Sequence, residues 1–286
     1  MGIALLTLLS WLPLPVLYFL SNIIRLLLSR VLFYRRTVID LNLIHAFPDR
    51  TSRELWSIRN KFYTHLSQLI VETIKSISIS EKSFRQHIYP HHSALQLYRQ
   101  YEKSGKHIFM LLGHYGNWEW SALLAGLESK LPFYALYQPS GNPAFNQFLQ
   151  QTRGRFGCRL IGSNQVKTLY SKLEQGPSLV AFVADQTPVD IEKAYTTKFL
   201  HMNTPFYKGF ASLAVKTDAV VLYVTVDKIE TGYYELRLSL ISENSVSETE
   251  DAITGKFVRL LEKDIEAKPE YWLWSHRRWK RAGISY

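Results

Sequence analysis

The chain has almost no cysteine. Cys158 stands alone, so no disulfide can form within it, as expected of a protein kept in a reducing compartment. In GRFGCRLIG that cysteine reads as a strand residue rather than a nucleophile. Nucleotide-binding loops are missing too: neither G-x-x-x-x-G-K-[ST] nor G-x-G-x-x-G occurs. There is no H-E-x-x-H and no evident third ligand, so a zinc site has little support; His87, His91 and His92 read as loop residues. Without a G-x-S-x-G elbow, an α/β-hydrolase nucleophile is excluded. No Gly/Ser linker, tandem repeat or low-complexity tract divides the 286 residues. The first 24 residues carry no charge.

What is present fits a globular chain with a sizeable core: 47% hydrophobic, 20% charged and 14% aromatic residues. The net charge of +10 is concentrated. Arg25, Arg30, Arg35 and Arg36 come after the uncharged run, and Arg277, Arg278, Lys280 and Arg281 cluster near the other end, leaving the rest near neutral. Two basic segments suggest an anionic ligand or surface, or else two solvated faces. They lie beside apolar and aromatic residues and form no nucleic-acid motif, so no nucleic-acid partner is expected.

The uncharged run is long enough to span a bilayer and lacks the basic start and small-residue cleavage site of a signal peptide. Pro13 and Pro15 would break a helix near its middle. One spanning helix and two interfacial half-helices both remain open, as does a core hairpin of a soluble protein. The arginines after the run would hold the rest of the chain on the cytoplasmic side. The domain expectation is therefore an anchoring segment over 1–36 and one main domain over 37–286.

Within 37–286, T-S-R-E at 51–54 reads as a capping box opening a helix to about Ile77. A second helix is predicted over Ser93–Ser104. Strand-like runs at Ile108–Leu112, Phe133–Tyr137, Leu179–Ala184 and Ala219–Val226 alternate with helical patterns at Trp118–Leu127, Pro143–Phe156, Gln165–Gln175 and Phe206–Thr217. Tyr233–Leu240 alternates as an edge or antiparallel strand would, and S-E-T-E at 247–250 caps a helix reaching about Ala267. The pattern predicts an α/β fold, with a mixed, mostly parallel central sheet flanked by helices.

LLGHYGNWEW, residues 111–120, ends a buried strand at a glycine and then offers a base and an acid. Reactive groups collect at the carboxyl ends of strands in open α/β sheets. His114 and Glu119 would diverge on one continuous helix, but a turn at Gly113–Gly116 lets them meet, with Asn117 capping the next helix. A base held by a carboxylate suits acyl transfer to a hydroxyl without a covalent intermediate. A purely structural reading stays open: a histidine at a strand end, and a glutamate at a helix amino terminus.

GHYGNWE resembles the His-x4-Glu motif of the bacterial lipid A late (secondary) acyltransferases, within the lysophospholipid acyltransferase superfamily. Further blocks are similar in order: YRR at 34–36 with N-L at 42–43 and A-F-P at 46–48; YQPSGNP at 137–143 with R-G-R-F-G at 153–157; A-D-Q at 184–186; and PEYWLWSHRRWK at 269–280. They cover nearly the whole chain. The resemblance implies a glycerolipid acyltransferase-like fold with His114 as general base and Glu119 orienting it. It implies that Arg153 holds a phosphate or the thioester oxyanion, that Arg155 contacts phosphate, that Asp185 is a further site carboxylate, and that Asn117 lines the site. No metal or cofactor is implied. The donor would be acyl carrier protein and the acceptor a hydroxyl of a lipid A precursor, at the cytoplasmic face of a bacterial inner membrane. FLHMNTP at 199–205 departs from the family pattern and is expected to border the acyl pocket. Another glycolipid, aminolipid or lipid-linked acceptor is the nearest alternative, and a non-catalytic basic membrane-binding protein the more distant one.

Overall fold

The computed structural model describes residues 2–286; Met1, the first residue of the apolar run, lies outside them. Helix α1 (Gly2–Ser10) stops short of Pro13, which is the N-cap of α2 (Leu14–Leu26). One π-helical turn, Leu27–Val31, prolongs α2. Two more helices come next, α3 (Arg36–Ala46) and α4 (Ser52–Lys75). Thr51 and Glu54 form the predicted capping box on α4.

The first two helices lie against α4. Leu14, Leu17 and Ser21 of α2 are buried, while Leu5, Leu8, Trp11, Phe19 and Ile23 are exposed. Lys75 Nζ donates to the carbonyls of Ser10 and Leu12, satisfying groups freed where α1 ends. Tyr18 of α2 donates its hydroxyl to Glu72 of α4 at 2.9 Å.

The elements beyond α4 are α5 (Glu81–His87), β1 (Ile88–Pro90), α6 (His92–Glu102), β2 (Ile108–Leu112), α7 (Trp118–Glu128), β3 (Phe133–Tyr137), α8 (Pro143–Gly154), β4 (Cys158–Gly162), α9 (Val166–Leu173), β5 (Leu179–Val183), β6 (Tyr195–Phe199), β7 (Met202–Phe206), α10 (Gly209–Thr217), β8 (Val220–Glu230), β9 (Tyr233–Ser242) and α11 (Glu250–Ala267). Seven strands form one sheet in the order β1-β9-β8-β2-β5-β3-β4, and only the β8/β9 pair is antiparallel. The predicted mixed, mostly parallel sheet is thus observed. Short α5 and β1 and the β6–β7 hairpin were not predicted; they carry weak periodicity or are too short to show one. Thr249, rather than Ser247, caps α11.

β2 shows why its sequence is continuously apolar. Phe109 and Leu111 join one hydrophobic cluster with residues of α10 and α11, while Ile108, Met110 and Leu112 join another with residues of α6 and α7. Cys158 opens β4, buried, and burial pushes its thiol up to about 12, so it offers no thiolate.

Glu72 is fully buried and accepts hydrogen bonds from Tyr18, Tyr234 and Asn117. Tyr18→Phe leaves one oxygen of this carboxyl short of a donor. The expected loss is about 1–3 kcal/mol in chemical denaturation, with helix content unchanged. Wild-type stability in that variant would show that the hydroxyl contributes nothing to docking α2.

Candidate active site

β2 and β5 run parallel with Leu112 beside Val183, and the N–H of Ala184 continues the ladder to the Leu112 carbonyl. Two residues beyond Leu112 and Val183 come His114 and Asp185, so the strand pairing delivers them side by side. His114 Nδ1 lies 2.6 Å from Asp185 Oδ1, and the His114 backbone N–H donates to Oδ2 at 2.9 Å. Trp272 Nε1 donates to the same Oδ2 at 2.7 Å. Burial alone would raise the pKa of Asp185, which is 3% exposed. The adjacent imidazole and these hydrogen bonds outweigh burial and hold it at about 2. An ionised Asp185 assigns the proton to Nδ1 and leaves the Nε2 lone pair free to accept; the Gln186 amide nitrogen is 3.2 Å from it. The ring edge of Trp118 packs against the imidazole, with centroids 5.1 Å apart.

The expected His114–Glu119 contact is replaced. The imidazole's carboxylate is Asp185, because adjacent strands join residues 71 apart in sequence. Glu119, in the first turn of α7, faces α8 and takes a two-point ion pair from Arg153: Nε to Oε2 at 2.7 Å and Nη2 to Oε1 at 2.5 Å. Trp118 Nε1 also donates to Glu119.

Three further expectations are corrected. Asn117 caps α7 as predicted, accepting the Trp120 N–H, but its amide donates to Glu72 and its side chain is fully buried behind the loop rather than facing a site. Arg155 donates to the carbonyls of Ser76 and Ile79 just beyond α4; these fixed acceptors tie it to the fold, away from His114. FLHMNTP forms the β6–β7 turn, with Phe199, Leu200 and Thr204 buried in the core on the other side of the sheet from α7.

The loop carrying His114 is held from several sides. Gly116 has φ +61°, and a Cβ there would meet the Val226 carbonyl at 2.3 Å, so glycine is required. Tyr115 pairs with Trp272 in an isolated antiparallel bridge, in which Leu273 N–H donates to the His114 carbonyl and Gly116 N–H to that of Tyr271. His65 Nε2 lies 3.1 Å from the Gly116 carbonyl. Asn42 of α3 donates to the carbonyls of Trp274 and His276, joining the N-L block to the C-terminal block. Of the four C-terminal cations, Arg278 is buried, donating to the Pro205 carbonyl beneath the Phe206 ring; Arg277, Lys280 and Arg281 are exposed. The roles of Gln186, Trp272 and Glu72 were not read from the sequence. Gln186 and Trp272 lie inside the A-D-Q and C-terminal blocks, but Glu72 gave no local signal.

A cavity of about 310 Å³ opens beside His114. His114, Glu119, Arg153 and Gln186 line it with a wall that is otherwise mostly apolar. The arrangement can accept a proton at Nε2 and offer a guanidinium to an oxyanion next to an apolar chain. Among the described residues no group of three His, Cys, Asp or Glu could hold a metal ion. His91 instead caps α6, with the His92 ring tilted against it, and His87 contacts the Gly232 carbonyl.

Because Asp185 is ionised down to about pH 2 when folded, against an ordinary 3.8, the unfolded chain binds the extra proton between those values. Stability contributed by Asp185 is therefore complete above about pH 4 and lost as pH falls toward 2. Asp185→Asn should flatten the fall in stability over that window in acid denaturation; an unchanged slope would remove the ionised pair.

The family model for "Bacterial lipid A biosynthesis acyltransferase" matches residues 1–281. The chain is 25% identical over 282 residues to the "Lipid A biosynthesis palmitoleoyltransferase" of Escherichia coli (strain K12), covering 98% of this chain and 90% of that protein. It is similar to the same extent to the "Lipid A biosynthesis acyltransferase" of Shigella flexneri. With the ordered motifs, the sheet and this match over nearly its full length, the chain belongs to the bacterial lipid A biosynthesis acyltransferase family.

Proposed function

We propose that the protein transfers a fatty acyl chain from an acyl carrier protein thioester to a hydroxyl of a lipid A precursor, as a secondary acylation. The observation that carries this reading is His114, tethered through Nδ1 to a buried carboxylate and lining, with Glu119 and Arg153, a largely apolar cavity.

In this reading the acceptor hydroxyl takes the position of the Gln186 amide at Nε2. Nε2 removes its proton as the oxygen attacks the thioester carbonyl. Asp185 fixes the tautomer and balances the imidazolium that forms. Arg153, aligned by Glu119, stabilises the oxyanion. The intermediate collapses with cleavage of the C–S bond, and the imidazolium returns its proton to the departing thiolate. The products are an ester and a free thiol, and no enzyme atom is acylated. Glu119 is thus assigned to the arginine and Asp185 to the histidine. The exposed Arg277 and Arg281 meet the 185–189 loop, Thr187 donating to the Arg277 carbonyl and Arg281 to that of Val189, and Lys280 is exposed between them in sequence. That cationic rim suits an acidic carrier protein or the phosphates of the acceptor.

Residues 1–36 act here as a membrane anchor at the cytoplasmic face of the inner membrane, lying in the plane of the bilayer. Leu14–Val31 is long and apolar enough to cross. However, α2 packs along α4, which carries Arg53, Arg59, Lys61 and Lys75, and α4 cannot enter hydrocarbon beside it. The exposed face of α1 and α2, with Trp11, Phe19 and nearby Arg30 and Arg35, matches an interfacial helix pair.

Two measurements test these readings. Mass spectrometry of lipid A from cells with and without the gene should reveal one missing acyl chain, restored by the wild type. His114→Ala should fail to restore it and lower the purified enzyme's rate by about 10²–10⁴-fold. Unchanged lipid A would redirect the assignment to another glycolipid, aminolipid or lipid-linked acceptor. Near-normal turnover in His114→Ala would end the base assignment and leave His114 a structural role at the strand end. For the anchor, Ile3→Cys and Thr37→Cys, each in a Cys158→Ser background in sealed vesicles, should react with an impermeant maleimide from the same side; opposite sides would mean a span.

A further inference from the structure

The cavity beside His114 owes its existence to small residues on both walls. α7 contributes Ser121, Ala122 and Ala125, and the facing strands contribute Ala135 and Ala181. Larger side chains at these positions would close the space between helix and sheet. A second, smaller cavity of about 30 Å³, lined without polar surface by residues of α6, α7 and the sheet, lies beside it. Met110, Ala125 and Leu236 line both. Those three side chains therefore form the partition, one from β2, one from α7 and one from β9.

We infer that Met110, Ala125 and Leu236 form a neck that sets the length of acyl chain the enzyme accepts, the second cavity receiving the end of longer chains. The inference rests on the acyltransfer reading above. The geometry is consistent along two measures. Met110 lies four residues before His114, on the order of 13 Å along an extended strand. At roughly 30 Å³ per chain atom, about one water's share of the liquid, the 310 Å³ chamber holds on the order of ten carbons. The chain thus meets the neck where the first chamber is full. An apolar chain is the occupant because the far cavity is walled by carbon, with the polar ends of Glu128 and Tyr98 engaged with Arg85, Arg99 and Ser129, and because the route begins at the reacting base. Met110 is unbranched and flexible, so it can yield to a longer chain at a cost, whereas Ala125 is fixed on its helix and admits no bulk without narrowing the passage. The neck makes no contact with the reacting atoms; it acts on which donor fits.

The experiment is a competition among saturated acyl carrier protein thioesters from octanoyl to palmitoyl, with the full-length protein and a lipid A precursor as acceptor. Ala125→Leu and Leu236→Phe should move the preferred donor to shorter chains, lowering kcat/KM for the longest about tenfold or more relative to the shortest. Met110→Ala should move it to longer chains. If Ala125→Leu does not fold, the opposed shifts of Leu236→Phe and Met110→Ala decide the matter. Active variants that keep the wild-type length profile would overturn the neck and leave acyl transfer intact. Absence of transfer from every donor by the wild type would overturn the acyltransfer reading, and the neck with it.

Discussion

The site depends on one buried carboxylate with three donors. Asp185 receives the backbone N–H and the Nδ1–H of His114 and the indole N–H of Trp272. An ionised group so little exposed would be costly to bury unpaired; here every bond it accepts also positions something else. The backbone bond fixes where the histidine loop leaves its strand. The imidazole bond fixes the tautomer. The indole bond fastens the C-terminal segment across the loop, which the Tyr115–Trp272 bridge then completes. One anion thereby aligns two adjacent strand ends and a segment from the far end of the chain.

A second buried carboxyl does comparable work behind the loop. Glu72 joins Tyr18 of α2, Tyr234 of β9 and Asn117 at the start of α7. Burial raises its pKa to about 7, with Lys228 and its three hydrogen-bond donors opposing. The helix proposed to lie on the membrane, the sheet and the helix that carries Glu119 are thus tied through one side chain. In the proposed membrane-bound arrangement, this packing rather than a flexible tether would set the orientation of the cavity relative to the lipid surface.

Chemistry and selectivity separate in space. The polar groups proposed to react, His114 and Arg153, line the chamber nearest the strand ends, whereas the neck lies deeper between α7 and the sheet. Chain length can therefore change by substitutions at small or flexible residues without disturbing the paired charges. Glu119, tied to Arg153 rather than to His114, keeps its place in the site while its expected partner changes.

Local sequence was sufficient for much of the architecture. Continuous apolar runs located the central strands and period-3.6 patterns most of the helices around them, and the capping box at Thr51 and the cap at Asn117 marked helix starts, because each depends on residues within a few positions. The strand-end glycine and histidine pointed to the candidate site for the same reason. Partner choice was not legible. His114 lies five residues from Glu119 and 71 from Asp185, yet hydrogen-bonds the latter, because strand order puts β5 beside β2. Arg155 and Arg278 looked like anion-binding cations, but Arg155, still exposed, donates to two backbone carbonyls, and packing encloses Arg278 against a third. Glu72 looked like one more helical glutamate until three elements converged on it. Most of the long elements, and the residue types at the strand ends, follow from local sequence, since both depend on short-range pattern and capping. Which acid meets which base, which cations stay in water and where the cavity runs came from the packed fold alone, because those depend on strand order and helix packing between residues far apart in the chain.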